Sequence, residues 1–224
     1  MDIRISEEVA AAAPALRVVA VEADVANSPT PDTLWNEINE ASQWIKDNFA
    51  MEMVNKRGAI AATRAAYKAL GKEPNRYRPS AEALCRRCVK GLELYRSLAV
   101  IDLINLLSIR TGHSIGGFDR DSIEGDSLVL GVGREGEPYE AIGRGLLNIA
   151  GLPVYRDSVG GVGTPTSDND RTKLSESTQR LLMTINIYGE GEMNTEEVVE
   201  LTKRLLEQYA RAKNIKFKEI GTES

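Results

Sequence analysis

The densest chemistry in the sequence lies in Ser167-Asp168-Asn169-Asp170-Arg171-Thr172-Lys173. Asp168 and Asp170 beside Arg171 can orient a water or hold an ammonium such as a free α-amino group. The same pattern also serves as a structural Asp–Arg pair that fixes a loop ahead of a strand. Asp119, Asp121 and Asp126 gather a second set of carboxylates, where Asp119 can cap a turn and a divalent ion is the other reading. Gly116-Gly117 and Gly160-Gly161-Val162-Gly163 are expected as loops, either letting backbone N–H groups approach a ligand or simply making tight turns between strands. Neither is a phosphate-binding P-loop, because no Gly-Lys-Ser/Thr follows. Arg76, Arg78, Arg86 and Arg87 are candidates for phosphate contacts, Arg78 alternatively capping neighbouring carbonyls. Cys85 and Cys88 match C-x-x-C, but they fall inside a helical pattern rather than at a helix N-terminus, where thiolates are stabilised. With two cysteines and one histidine, His113, a multi-ligand zinc site or a disulfide framework is not expected, and no metal or cofactor is assigned. Cys85 and Cys88 read as one buried packing residue and one partly exposed residue; His113 reads as a helix-end histidine or as a group reaching a site.

The 224 residues carry a net charge of −5, which ordinarily argues against an RNA partner. The distribution says more. Residues 56–110 hold twelve Lys or Arg against four acids, a local excess of eight that leaves −13 for the rest. Such a basic middle attracts an anionic partner if its charges share a face, and merely solvates several helices if they do not. No apolar run approaches the roughly 18 residues of a membrane span. The N-terminus, MDIRISEEV, lacks a basic stretch followed by an apolar one, so a cytoplasmic location is expected.

These residues need elements to position them. Strands are expected over 3–5 and 16–25, then a helix to about residue 49, N-capped by Thr30 or Asp32, with Trp35 and Trp44 as core anchors. Further helices are expected over 55–70, 80–89 and 98–110, the last buried and ended by Gly112. Strands then follow over 127–132, 139–142, 152–155 and 181–188, then a helix from 195 to about 213 and a strand over 215–220, with a fraying tail. The sum is one α+β domain, helix-rich first and strand-rich second.

Three passages carry a family resemblance. The first is Arg78-Pro79-Ser80-Ala81-Glu82-Ala83-Leu84 with Arg86, Arg87 and Gly91. The second runs from Val100 to Ile123, VIDLINLLSIRTGHSIGGFDRDSI, followed by Glu124-Gly125-Asp126. The third is Ser167 to Leu174 with Glu176 and Thr178. In order and spacing they resemble the B3/B4 editing domain of the phenylalanyl-tRNA synthetase beta subunit, and more closely the stand-alone proteins built on it. The resemblance covers about 75–190. It divides the expected single domain, 1–224, into an N-terminal strand–helix arm (1–74), a B3/B4-like core (75–190) and a C-terminal helix and strand (191–224).

The resemblance implies a mixed β-barrel-like core with surrounding helices. It also implies binding of an aminoacylated tRNA 3′ end and hydrolysis of a mischarged ester, a second sieve behind an imperfect first one. An activated ester needs only a positioned water, oxyanion donors and a selective pocket. The resemblance places that pocket along Ile104–Phe118. Asn105 matches an Asn of the family and joins Asp168 and Asp170 as catalytic candidates. Gly116, Gly117, Phe118, Gly160, Gly161, Arg171 and Thr172 are substrate-binding candidates. Two positions depart from the pattern: Ile104 replaces a Thr and Gly116 a His, so recognition of a phenol hydroxyl loses its polar partners. Those departures favour the alternative, a non-catalytic module for an amino acid or an RNA end. ATP-binding class II motifs are absent, so ligation of an amino acid to tRNA is not expected.

Overall fold

The computed structural model describes residues 1–222. Residues 223 and 224, on which part of the expected fraying of the tail falls, lie outside the described residues. The elements run β1 (Asp2–Ile5), α1 (Glu7–Ala12), β2 (Arg17–Asp24), α2 (Asp32–Asn48), α3 (Gly58–Ala69), α4 (Ser80–Val89), α5 (Ala99–Thr111), β3 (Ser114–Asp119) and β4 (Ser127–Val132). They continue through β5 (Glu140–Ala141), β6 (Gly145–Leu146), β7 (Pro153–Arg156), β8 (Gly161–Gly163), β9 (Arg180–Ile187), α6 (Thr195–Ala210) and β10 (Lys213–Gly221).

The mixed α+β core with surrounding helices is as expected, and its strands do not form a closed barrel. They form two open four-stranded sheets, ordered β10-β2-β9-β3 and β1-β4-β7-β8, with a separate β5–β6 hairpin. The first sheet is antiparallel throughout and forms the middle layer. Alternation along β2 and β9 explains why. Val19 and Val21, with Met183 and Ile185, face the helices. Val18, Ala20 and Leu182 join the cluster that holds Leu128, Leu130 and Tyr155 of the second sheet. A strand apolar on both faces needs a layer on each side, and both are present.

Helix α5 is central to the helical layer. Ten of its thirteen residues are buried, so it reads as apolar nearly all round. Gly112 ends it in the left-handed conformation (φ +74°), its N–H returning to Ser108 O. The buried Arg57 guanidinium also holds that end, donating to Ile109 O at 2.9 Å and Arg110 O at 3.1 Å while pairing with both Glu192 oxygens. Helix α6 starts with a capping box of Asn194 and Glu197.

Several expectations change. Pro31, not Thr30 or Asp32, occupies the α2 N-cap, and the Thr30 hydroxyl bonds Asp102 instead. Trp44 is about half exposed (49%), packed edge-on to Phe49, while Trp35 does pack partly against the core. Both cysteines are buried; burial pushes the Cys85 thiol up to about 12 even though Arg57 lies 2.9 Å away. Gly116 and Gly117 sit inside strand β3 and Gly161 inside β8, not in loops. Neighbouring side chains require the missing Cβ atoms: one on Gly116 would lie 2.7 Å from the Phe118 ring, and one on Gly161 2.8 Å from Tyr139.

Candidate functional site

Helix α5 shows one stripe to a cleft: Ile101, Ile104, Asn105 and Ser108, at helical spacing. Strand β3 contributes Ile115 and Gly117, and helix α4 contributes Ser80 and Leu84. Opposite stand the Thr164–Asp168 turn, Leu174, and Ile142 to Arg144 of the β5–β6 hairpin. Together they line a half-open chamber of about 600 Å³, apolar along the α5 side and polar along the turn.

The turn is built to hold Asp168. Thr164 Oγ1 accepts from Thr166 N at 3.1 Å and Ser167 N at 3.0 Å, and donates to Ser167 O. Tyr139 donates its hydroxyl to Ser167 O at 2.7 Å, and Asp168 pairs with Gly163 across an isolated bridge. Gly163 must lack a side chain, because a Cβ would lie 2.5 Å from the Phe118 ring and 2.8 Å from Asp168 Oδ1. The Asp168 carboxyl reaches the chamber wall with a single donor, Gly117 N at 3.1 Å from Oδ2, and no ion pair among the described residues. The residue keeps some exposure toward the chamber, where Oδ1 is left open, while protein packs densely around the rest of the carboxyl. Burial against that one hydrogen bond raises its pKa to about 7. A carboxyl held this way has capacity for a ligand donor.

The chamber opens into a second cleft of about 580 Å³, sharing Ser80, Leu84, Tyr95, Asn105, Arg144 and Thr166 with it. Among the described residues the second cleft is lined by five cations, Arg78, Arg86, Arg87, Lys90 and Arg144, and by no carboxylate. Glu82, the acid on the adjoining helix, is fully buried between Arg64 (2.8 Å) and Arg86 (2.8 Å). The basic stretch of the sequence therefore divides. Arg57, Arg64 and Lys72 are consumed internally, Lys72 on the carbonyls of Asn148 and Ala150. Four others converge on one groove, joined by Arg144 from outside the stretch.

The expected site residues fall into two groups. Asn105, Gly117 and Asp168 line the chamber, and Arg78, Arg86 and Arg87 the groove, with Asn105 at their junction. The others point elsewhere. The Gly116 Cα faces Thr184 and the Phe118 ring, and Phe118 is in the core between the sheets. Asp170 pairs with Lys173 at the surface, and Arg171 is held by both Asp157 oxygens at 2.9 Å. Thr172 is buried on Val162 O, and Gly160 N is taken by Asp157. Arg76 lies over the Tyr77 ring instead of in the groove. His113 is buried at a different cleft, beside Gly191 and the α6 N-terminus, with Nδ1 unpartnered; burial lowers its pKa to about 4. The aspartates at 119, 121 and 126 are occupied: Asp119 caps a 3-10 turn, Asp121 pairs with Arg180 and Asp126 with Arg120.

Sequence reasoning missed Tyr95, Arg144 and the Thr164–Thr166 turn. A lone aromatic and a lone arginine in loops carry no periodic signal, and only chain folding brings them beside α4 and α5.

Among solved structures, an N-terminal fragment of the phenylalanyl-tRNA synthetase beta subunit from Pyrococcus horikoshii aligns with a TM-score of 0.48 and 12% identity. The alignment covers 100% of this chain and 54% of that fragment, so the chain spans about half its length. No curated protein matches the sequence. The profile of the B3/4 domain matches residues 62–212, which include both clefts except Met51. With well over half its length matched, the chain belongs to the B3/4 domain family.

Proposed function

We propose that the chain binds the aminoacylated 3′ end of a tRNA and hydrolyses a mischarged aminoacyl ester in trans. The observation that carries this reading is the continuity of two unlike clefts. A chamber with room for an aminoacyl group, bearing a carboxyl that has no ion pair among the described residues, meets at Asn105 a groove lined by five cations and, among the described residues, no carboxylate. The chamber suits an aminoacyl group and the groove suits the phosphates behind it. In this arrangement Asp168 receives the α-ammonium, the cation its carboxyl lacks, and Asn105 is positioned at the junction where the ester would lie. The terminal ribose hydroxyl helps orient the attacking water.

One feature favours the second reading, a binding module without turnover. The Gly117 N–H, a natural oxyanion donor, is taken by Asp168, and Ile104 and Gly116 bring no hydroxyl or imidazole. A panel of mischarged tRNAs separates the two. Release of an amino acid, slowed by Asn105→Ala or Asp168→Ala, supports hydrolysis. Salt-sensitive binding with no release supports the binding module. Neither binding nor release on any tRNA overturns both.

A further inference from the structure

We infer that Tyr95 is a stacking platform for the terminal nucleobase of the bound RNA. This inference deepens the proposed function and rests on it. Tyr95 is 79% exposed, although an aromatic ring of that size normally gains by burial. It lines both the chamber and the cationic groove, so it stands at their shared mouth. If an aminoacyl group fills the chamber and phosphates follow the groove, the nucleoside joining them lies at that mouth. Its base is the one part not yet given a partner.

The ring is prepared for this role. The Arg87 guanidinium lies 4.6 Å from its centroid, while Arg87 Nε is held by Glu93 O at 2.6 Å. A cation on one side and high exposure elsewhere suit a ring to take a second flat group. The loop that carries it is tied at both ends. Leu92 N returns to Arg87 O at 3.1 Å, Arg96 donates twice to Thr30 O, and Ser97 N donates to Asp102 at 2.8 Å. A fixed platform loses less entropy when a base settles on it. Charge complementarity selects the occupant: the charged side chains lining the groove are all cations, of which Arg86 is paired with the buried Glu82, and the rest suit a base on a phosphate backbone. Stacking tolerates any base, so the platform contributes affinity more than sequence choice.

The test uses the full chain and a short single-stranded RNA ending in adenosine, compared with the same RNA carrying an abasic terminal nucleotide. Binding is read by fluorescence anisotropy at two salt concentrations. Wild-type protein is expected to prefer the intact end by about tenfold. Tyr95→Ala should erase that preference, whereas Tyr95→Phe and Tyr95→Trp should keep it. Circular dichroism and thermal melting should be unchanged in all three, because the ring is outside the core. If Tyr95→Ala keeps the wild-type preference while Arg78→Ala and Arg144→Ala weaken binding, the platform is wrong and the RNA-binding reading stands. If wild-type protein binds neither RNA, the platform is overturned, and the panel of mischarged tRNAs decides the proposed function separately.

Discussion

Replacing Asp168 by Asn should change how stability responds to pH. Among the described residues the carboxyl has one hydrogen-bond donor and no ion pair, and burial lifts its pKa from 3.8 to about 7. Between those values the folded chain holds a proton that the unfolded chain has released. Stability from this group is therefore full below about pH 4, falls as pH rises, and is lost once pH passes about 7. Integrating the difference between pH 5 and pH 8 gives a loss of about 2.5 kcal/mol assignable to Asp168. Asn keeps the shape and can still accept from Gly117 N, but it cannot titrate. Urea unfolding of both proteins at several pH values checks the effect. The wild type should lose about 2.5 kcal/mol more than Asp168→Asn from pH 5 to pH 8, with equal m-values. Parallel profiles would refute the reasoning: the carboxyl would then be solvated well enough to ionise at its ordinary pKa, and the unpaired acid on the chamber wall would not exist as described.

His113 should act in the opposite direction. Burial lowers its pKa from 6.5 to about 4, so the unfolded chain binds a proton first and stability falls as pH drops through that window. The loss is about 3 kcal/mol, and His113→Gln should remove it from an acid unfolding curve; a variant with an unchanged acid limb would exclude this account. Because Asp168 and His113 act with opposite signs between pH 4 and 6.5, each must be read against its own variant. Gly117→Ala places a Cβ 2.5 Å from Ile104 Cδ1 and 3.1 Å from Leu174 Cδ1, both on the chamber wall. It should cost about 1–2 kcal/mol and constrict the chamber, and Ile104→Val on that background should recover most of the loss. Denaturation of the double variant decides it: simple addition of the two costs would mean that the contact is not the cause.

The sequence by itself determined the five longer helices and the general class, while the six-residue α1 was not foreseen. The periodicity of α5, the Gly112 stop and the Arg86–Arg87 pair on α4 are local properties, set by side-chain spacing and backbone preference within a few residues. It also marked Asp168, Asn105 and Gly117 as candidates, three residues that the structure does bring to one chamber.

Tertiary structure decided the rest. Strand β3 was hidden because its glycines look like a loop until Phe118, Thr184 and Ile104 are seen filling the space of the missing side chains. Of the Asp168–Thr172 run, only Asp168 lines the chamber; a 3-10 turn directs Asp170 and Arg171 to surface ion pairs and Thr172 into the core. Likewise, twelve clustered cations in sequence do not make a basic surface. Burial consumes Arg57, Arg64 and Lys72, while the fold gathers Arg78, Arg86, Arg87 and Lys90 with a distant Arg144. Charge order along a chain is local, but a field in a groove depends on distances in space, and those are set only when helices, hairpin and sheet pack together.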